Sequence, residues 1–158
     1  MIREVTLRLV EDTDLDTLFE FMRDPESVRM AAFTAEDPDD RDAFDAHMRK
    51  VLANPEATNR VIVGDGRVVG SIASFVMEGD TEITYWVDRA VWGQGVAGRA
   101  VALLLDLVTV RPMHARVASD NAGSMRVLTK AGFEVVGTEI SYATARKEEI
   151  EETILKLS

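Results

Sequence analysis

Residues Trp92 to Ala100, WGQGVAGRA, place Gly93, Gly95 and Gly98 within six positions, directly ahead of an apolar helical run. A loop of this kind leaves backbone N–H groups unpaired at the positive end of a helix dipole. Glycines there let an anion such as a pyrophosphate approach without Cβ clashes. GxGxxG is also the fingerprint of a dinucleotide-binding βαβ unit, but the flanking residues argue against that chemistry. Such a unit follows a continuous, fully buried apolar strand, whereas Glu82, Ile83, Thr84 and Tyr85 alternate and close a run of hairpins. After position 93 of 158 little more than one further βαβ unit would fit. Asp120, the nearest candidate for a ribose-binding acid, lies beyond the usual spacing of about 20 residues and beside Asn121, a helix-cap setting.

Around this loop the chain is predicted to be one domain, residues 1–158, with 46% hydrophobic and 29% charged residues. Those are the proportions of a globular protein. No apolar run approaches the roughly 18–20 residues of a membrane span, and the first 16 residues lack a signal-peptide core. There is no cysteine, which excludes disulfides, thiolate metal sites and cysteine nucleophiles. The two histidines, His47 and His114, form no metal-ligand spacing, so no metal is expected. A net charge of −10 without a basic tail argues against nucleic acid and is compatible with steering a cationic substrate. The expected setting is cytoplasmic, with no membrane partner, as a monomer or homodimer.

The elements that must carry the loop follow from periodicity. Val5–Leu9 alternates as a half-buried strand. Asp12-Thr-Asp14 supplies helix-cap types before Leu15, Leu18, Phe19 and Met22, with Pro25 expected to end that helix and a short one over Glu26–Phe33. A further helix spans about Asp42–Ala53. Arg60–Val63 and Val68–Met77 flank Asp65-Gly66, a type I′ hairpin signal; Gly79-Asp80 is expected to turn into the strand Thr81–Val87. After the glycine loop come a helix to about Val108, a strand His114–Ala118, a helix Asn121–Ala131 stopped by Gly132, and a strand from Phe133. The tail Lys147–Leu157 suits a helix by its Glu and Lys content, while Thr153–Leu157 alternates as a strand.

Two motifs together resemble the GNAT superfamily of N-acetyltransferases. Trp92-Gly-Gln-Gly95-Val-Ala97 resembles that family's Arg/Gln-x-x-Gly-x-Gly/Ala loop for the pyrophosphate of acetyl-CoA, with Trp92 in place of the first Arg or Gln. Asn121-Ala-Gly-Ser124-Met-Arg126-Val-Leu-Thr-Lys130-Ala-Gly-Phe133 resembles the second motif of the branch that includes ribosomal-protein alanine N-acetyltransferases, and Glu82-Ile-Thr-Tyr-Trp-Val87 resembles that branch's strand before the loop. Leu7-Arg8-Leu9 through Asp24-Pro25 is similar to its usual start. The resemblance implies a single-domain α/β (α+β) fold: a mixed, mostly antiparallel sheet of about six or seven strands, helices on both faces and a splayed central strand pair. It also implies a last strand for the tail.

The resemblance implies acetyl transfer from acetyl-CoA to a primary amine, a protein N-terminus or a small molecule, in a ternary complex without metal. Tyr85, Trp86 and Val87 would lie along pantetheine, with a backbone N–H near Val87 facing the thioester carbonyl. Trp92, Gly93, Gln94, Gly95, Val96, Ala97 and Gly98 would form the pyrophosphate cradle. Arg99 and Arg126 are candidates for CoA phosphates, and Asn121 for pantetheine or for capping its own helix. Glu82 is the candidate proton acceptor. Many family members carry a tyrosine seven residues after the second-motif Asn; here that residue is Leu128, so Ser124 becomes the candidate donor to the leaving thiolate. Tyr142 is a second candidate donor, and Phe33, Tyr85 and Trp86 are candidates to line the acceptor pocket. Loss of that tyrosine also leaves open a non-catalytic acyl-CoA-binding module on the same fold.

Overall fold

The computed structural model describes residues Met1–Ser158. One seven-stranded sheet runs in the order β1-β2-β3-β4-β5-β7-β6. Its strands are β1 (Val5–Arg8), β2 (Thr58–Gly64), β3 (Arg67–Met77), β4 (Asp80–Val87), β5 (Met113–Ala118), β6 (Glu134–Ala143) and β7 (Glu148–Leu157). All neighbours are antiparallel except β4 and β5, which are parallel. That pair is in register only at Thr81–Met113 and Glu82–His114. Beyond Glu82 the two strands part, so the expected splay is present at the centre of the sheet.

Helices cover both faces. One face carries α4 (Val96–Leu107) and α5 (Ala122–Lys130), whose Val101, Leu104 and Leu128 pack with Ile72 and Leu155 in the main core. Each such leucine contributes about 2–3 kcal/mol by leaving water. On the other face α1 (Asp14–Met22) and α3 (Arg41–Ala53) bury Leu18 and Met48 against Val61, while α2 (Pro25–Ala31) leads to Ala32, which packs on Ala118 and Ala143. No helix is long and apolar enough to cross a membrane.

The hairpin turns have positive φ, as type I′ turns require. Asp65 and Gly66 stand at 50° and 83°. The next turn is one residue earlier than expected: Glu78 and Gly79 occupy it at 52° and 85°, and Asp80 already belongs to β4. Pro25 begins α2 rather than ending α1, which has closed at Arg23. The ring suits the first helical position, where no N–H bond is required, and Asp24 caps it by accepting from the Ser27 N–H at 3.0 Å. Thr13 makes no side-chain cap for α1. The tail is continuous strand from Glu148, because each residue pairs with β6 or β5 and tertiary pairing overrides helix propensity.

Candidate active site

The gap between β4 and β5 has chemically different walls. Strand alternation sends Ile83, Tyr85 and Val87 into the main core under α4 and α5. Glu82, Thr84 and Trp86 face the opposite side, where the Trp86 indole donates to the Phe21 carbonyl of α1 at 3.1 Å. The backbone alternates too. Asp88 N–H donates to Val69 on β3 at 2.8 Å, so the Val87 and Tyr85 amides point away from β3, into the gap. A Cβ on Gly70 would stand 2.2 Å from the Trp86 carbonyl oxygen, so only glycine lets β3 approach β4 there.

The glycine loop joins β4 to α4 through a single 3₁₀ turn, Arg89–Val91. Gly93 and Gly95 have φ of 80° and 75°, a region costly for any residue with a Cβ. Gly98 is different: it lies in the first turn of α4 with ordinary helical φ, and the space a Cβ would occupy is open. Nothing in the packing requires glycine at 98, and a helix loses about 1 kcal/mol for it relative to alanine. An open, Cβ-free surface at a helix N-terminus fits a pyrophosphate. Trp92 is exposed at the rim and donates its indole N–H to the Val87 carbonyl at 3.0 Å.

Two residues expected at the phosphates have their polar groups engaged elsewhere. The Arg99 guanidinium donates to the carbonyls of Arg3 (3.0 Å), Ile2 (3.0 Å) and Gln94 (3.2 Å). The Gln94 side-chain oxygen accepts from the Ile2 N–H at 2.8 Å. Both fasten the chain's first residues to the loop. Arg126 is exposed on α5. Asn121 caps α5, accepting from the Ser124 N–H at 3.2 Å, and its amide donates to the Met30 carbonyl at 3.4 Å. It therefore joins α2 to α5 across the end of β5.

Ser124 meets Tyr85 directly, their hydroxyl oxygens 2.5 Å apart. Burial pushes the Tyr85 phenol above its ordinary pKa, with the Ser124 hydrogen bond pulling the other way. Leu128, one turn along from Ser124, is wholly buried in the core. Tyr142 has a different setting: it is exposed on the edge strand β6. Phe33 packs beside Ala32, Ala118 and Ala143.

Glu82 is 5% exposed and accepts no hydrogen bond from the protein. Its nearest cation is Arg116, Nε to Oε2 3.7 Å. Arg116 directs its Nη1 instead to Glu139 at 3.0 Å and Glu152 at 3.3 Å. Burial raises the Glu82 pKa above the ordinary carboxylate range, opposed by the Arg116 and His114 charges. His114 stands in register with Glu82 and has a buried Nδ1 without a partner. The sequence alone assigns no role to His114, Arg116, Glu139 or Glu152. The available signal was polar residues at alternate positions, 114 and 116, of an internal strand, and at 152 in a tail whose strand character was ambiguous.

This fold and loop define a class. The family model for the acetyltransferase (GNAT) domain matches residues 4–134. The chain belongs to the acetyltransferase (GNAT) family. The Bacillus subtilis protein called probable N-acetyltransferase YjcK is 36% identical over 81 residues, a match covering 46% of this chain and 45% of that protein, so under half of the relative's length is spanned. Among solved structures, the Vibrio cholerae spermidine N-acetyltransferase in complex with CoA and spermine superposes with a TM-score of 0.83 at 15% identity, over 97% of this chain and 94% of that one. RimL, a ribosomal L7/L12 α-N-protein acetyltransferase in complex with CoA, gives 0.81 at 15% identity, over 97% and 93%.

Proposed function

We propose that this protein transfers an acetyl group from acetyl-CoA to a primary amine by direct attack, with the thioester in the β4–β5 gap. The observation that carries this reading is the early end of β4–β5 pairing, which stops at Glu82 and leaves unpaired the part of β4 that Ser124 touches at Tyr85. In this reading the backbone amides of Tyr85 and Val87 take the place of sheet partners for the pantetheine arm. The Val87 N–H polarises the thioester carbonyl and stabilises the negative charge that develops on its oxygen. The N–H groups of Gly93 to Gly98, at the start of α4, hold the pyrophosphate.

Glu82 accepts the proton that the amine nitrogen must lose. A carboxylate near pH 7 is a weak base, and burial without hydrogen bonds makes this one stronger. Ser124 supplies a hydrogen bond to the sulfur as the C–S bond breaks. The acceptor is an amine that reaches the face carrying α1 and α2, where Glu82, Glu139 and Glu152 outnumber Arg116 and favour a positively charged molecule.

Acetyl-CoA incubated with a panel of amines tests the reading: spermine, an aminoglycoside, free amino acids and a peptide with a free N-terminus. Free CoA should appear with at least one of them and only when the amine is present. Tight acetyl-CoA binding with no amine-dependent CoA release across the panel would overturn it.

A further inference from the structure

The Ser124 hydroxyl has one hydrogen-bond partner in the protein, Tyr85, and that partner comes from the strand lining the gap. We propose that Tyr85 and Ser124 act as one hydrogen-bond donor to the CoA sulfur, Tyr85 fixing the Ser124 hydroxyl so that its hydrogen points at the leaving group. This deepens the reading above and rests on it, since it takes Ser124 to be the residue beside the sulfur.

Either hydroxyl could donate across the contact, and the surroundings of the phenol favour one direction. The two oxygens are 2.5 Å apart, at the short limit for O–H···O bonds. A hydroxyl has one hydrogen and accepts with its lone pairs, so within the pair one oxygen donates and the other keeps its hydrogen for a third group. The phenol is half-buried against the core under α4 and α5, and losing water disfavours its charged form. It stays protonated, and Ser124 is its one hydrogen-bond partner in the protein, so its hydrogen goes to Ser124 Oγ and the Ser124 hydrogen is left for the sulfur. A polarised chain of two hydroxyls donates more strongly than one.

The same burial limits what the pair can do. Passing a proton outright would leave a phenolate in the apolar core. A CoA thiol is a much stronger acid than a buried phenol. The amine nitrogen bonds to the carbonyl carbon and its proton goes to Glu82. The C–S bond breaks and its electron pair stays on sulfur. The Ser124 O–H stabilises that thiolate without being deprotonated, and solvent protonates it after release. The tyrosine absent at position 128, where the core is closed around Leu128, is thus replaced by a tyrosine from β4 working through the helix serine.

The test uses the CoA complex and needs no acceptor. The chain has no cysteine, so the only thiol in the complex is that of CoA. Its ionisation can be followed by ultraviolet thiolate absorbance in wild type, Ser124→Ala, Tyr85→Phe and the double variant. A donor to the thiolate lowers the thiol pKa, so Ser124→Ala should raise it by about one unit. Tyr85→Phe, which keeps the ring and the packing, should raise it by a substantial part of that. In the double variant the Tyr85 change should add nothing. A Tyr85→Phe effect that is absent, or that persists fully without Ser124, overturns the coupling. An unchanged thiol pKa in Ser124→Ala removes Ser124 from the sulfur, and with it the parent assignment.

Discussion

Asp14 at the β1–α1 corner and Glu82 at the β4–β5 splay are equally buried, each 5% exposed, and their environments are opposite. Asp14 accepts from Arg8 at 2.8 and 2.9 Å and from the Glu11 N–H at 2.8 Å. The Arg8 hydrogen bonds hold its pKa below the usual range. Glu82 accepts nothing from the protein, its one cation is 3.7 Å away, and burial holds its pKa up. A buried carboxylate with its partners in place stabilises a fold. One left without them costs stability, and that cost is intelligible where the group must take up a proton.

Substitutions at the two sites should therefore move different quantities. Glu82→Gln should lower kcat/KM by about 100-fold or more, with Tm unchanged or higher, since Arg116 keeps Glu139 and Glu152. A Tm fall of many degrees would make Glu82 a structural residue like Asp14. Asp14→Ala should cost about 2 kcal/mol, a figure kept modest because Arg8 is partly solvated. Thermal unfolding would show this as a lower Tm, while activity per folded molecule is retained. Gly98→Ala extends the contrast to the glycine loop. It should stabilise the protein by up to about 1 kcal/mol, yet weaken acetyl-CoA binding by calorimetry. Unchanged affinity would mean no phosphate approaches that surface.

The smallest effect is in the pH dependence of stability, and its signs are opposite at the two sites. Asp14 has a folded pKa below its ordinary 3.8, so its contribution is present above that value and is lost as pH falls through the folded one. Glu82 has a folded pKa above its ordinary 4.5, so the native state binds the extra proton and stability declines as pH rises from 4.5 through the raised value. Denaturant titrations of Glu82→Gln should lack that decline. Asp14→Ala should keep it and lose the acid-side dependence.

The elements proposed to hold the donor are legible in the sequence because they are local. The glycines of Gly93–Gly98 precede their own helix, Asn121 caps the helix that carries Ser124 three residues on, and β4 directly precedes the loop. The side proposed for the acceptor is assembled from distant strands. Arg116 links Glu82 to Glu139 and Glu152 only through the β4-β5-β7-β6 order, and no spacing along the chain encodes that. The same limit explains Arg99. Its position one turn into α4 suits phosphate, but besides Gln94 its partners include the carbonyls of residues 2 and 3, more than 90 positions away. The Tyr85–Ser124 contact likewise joins a strand and a helix 39 residues apart.

The most direct test of the account is the pH profile of kcat/KM for wild type and Glu82→Gln, with the amine that turns over fastest in the panel. Wild type should show an acid limb set by Glu82, rising with pH as the carboxyl loses its proton, in addition to the ionisation of the amine itself. Glu82→Gln should lose that limb and keep only the dependence on free amine. Two superimposable profiles of equal height would contradict the assignment of Glu82 as the proton acceptor.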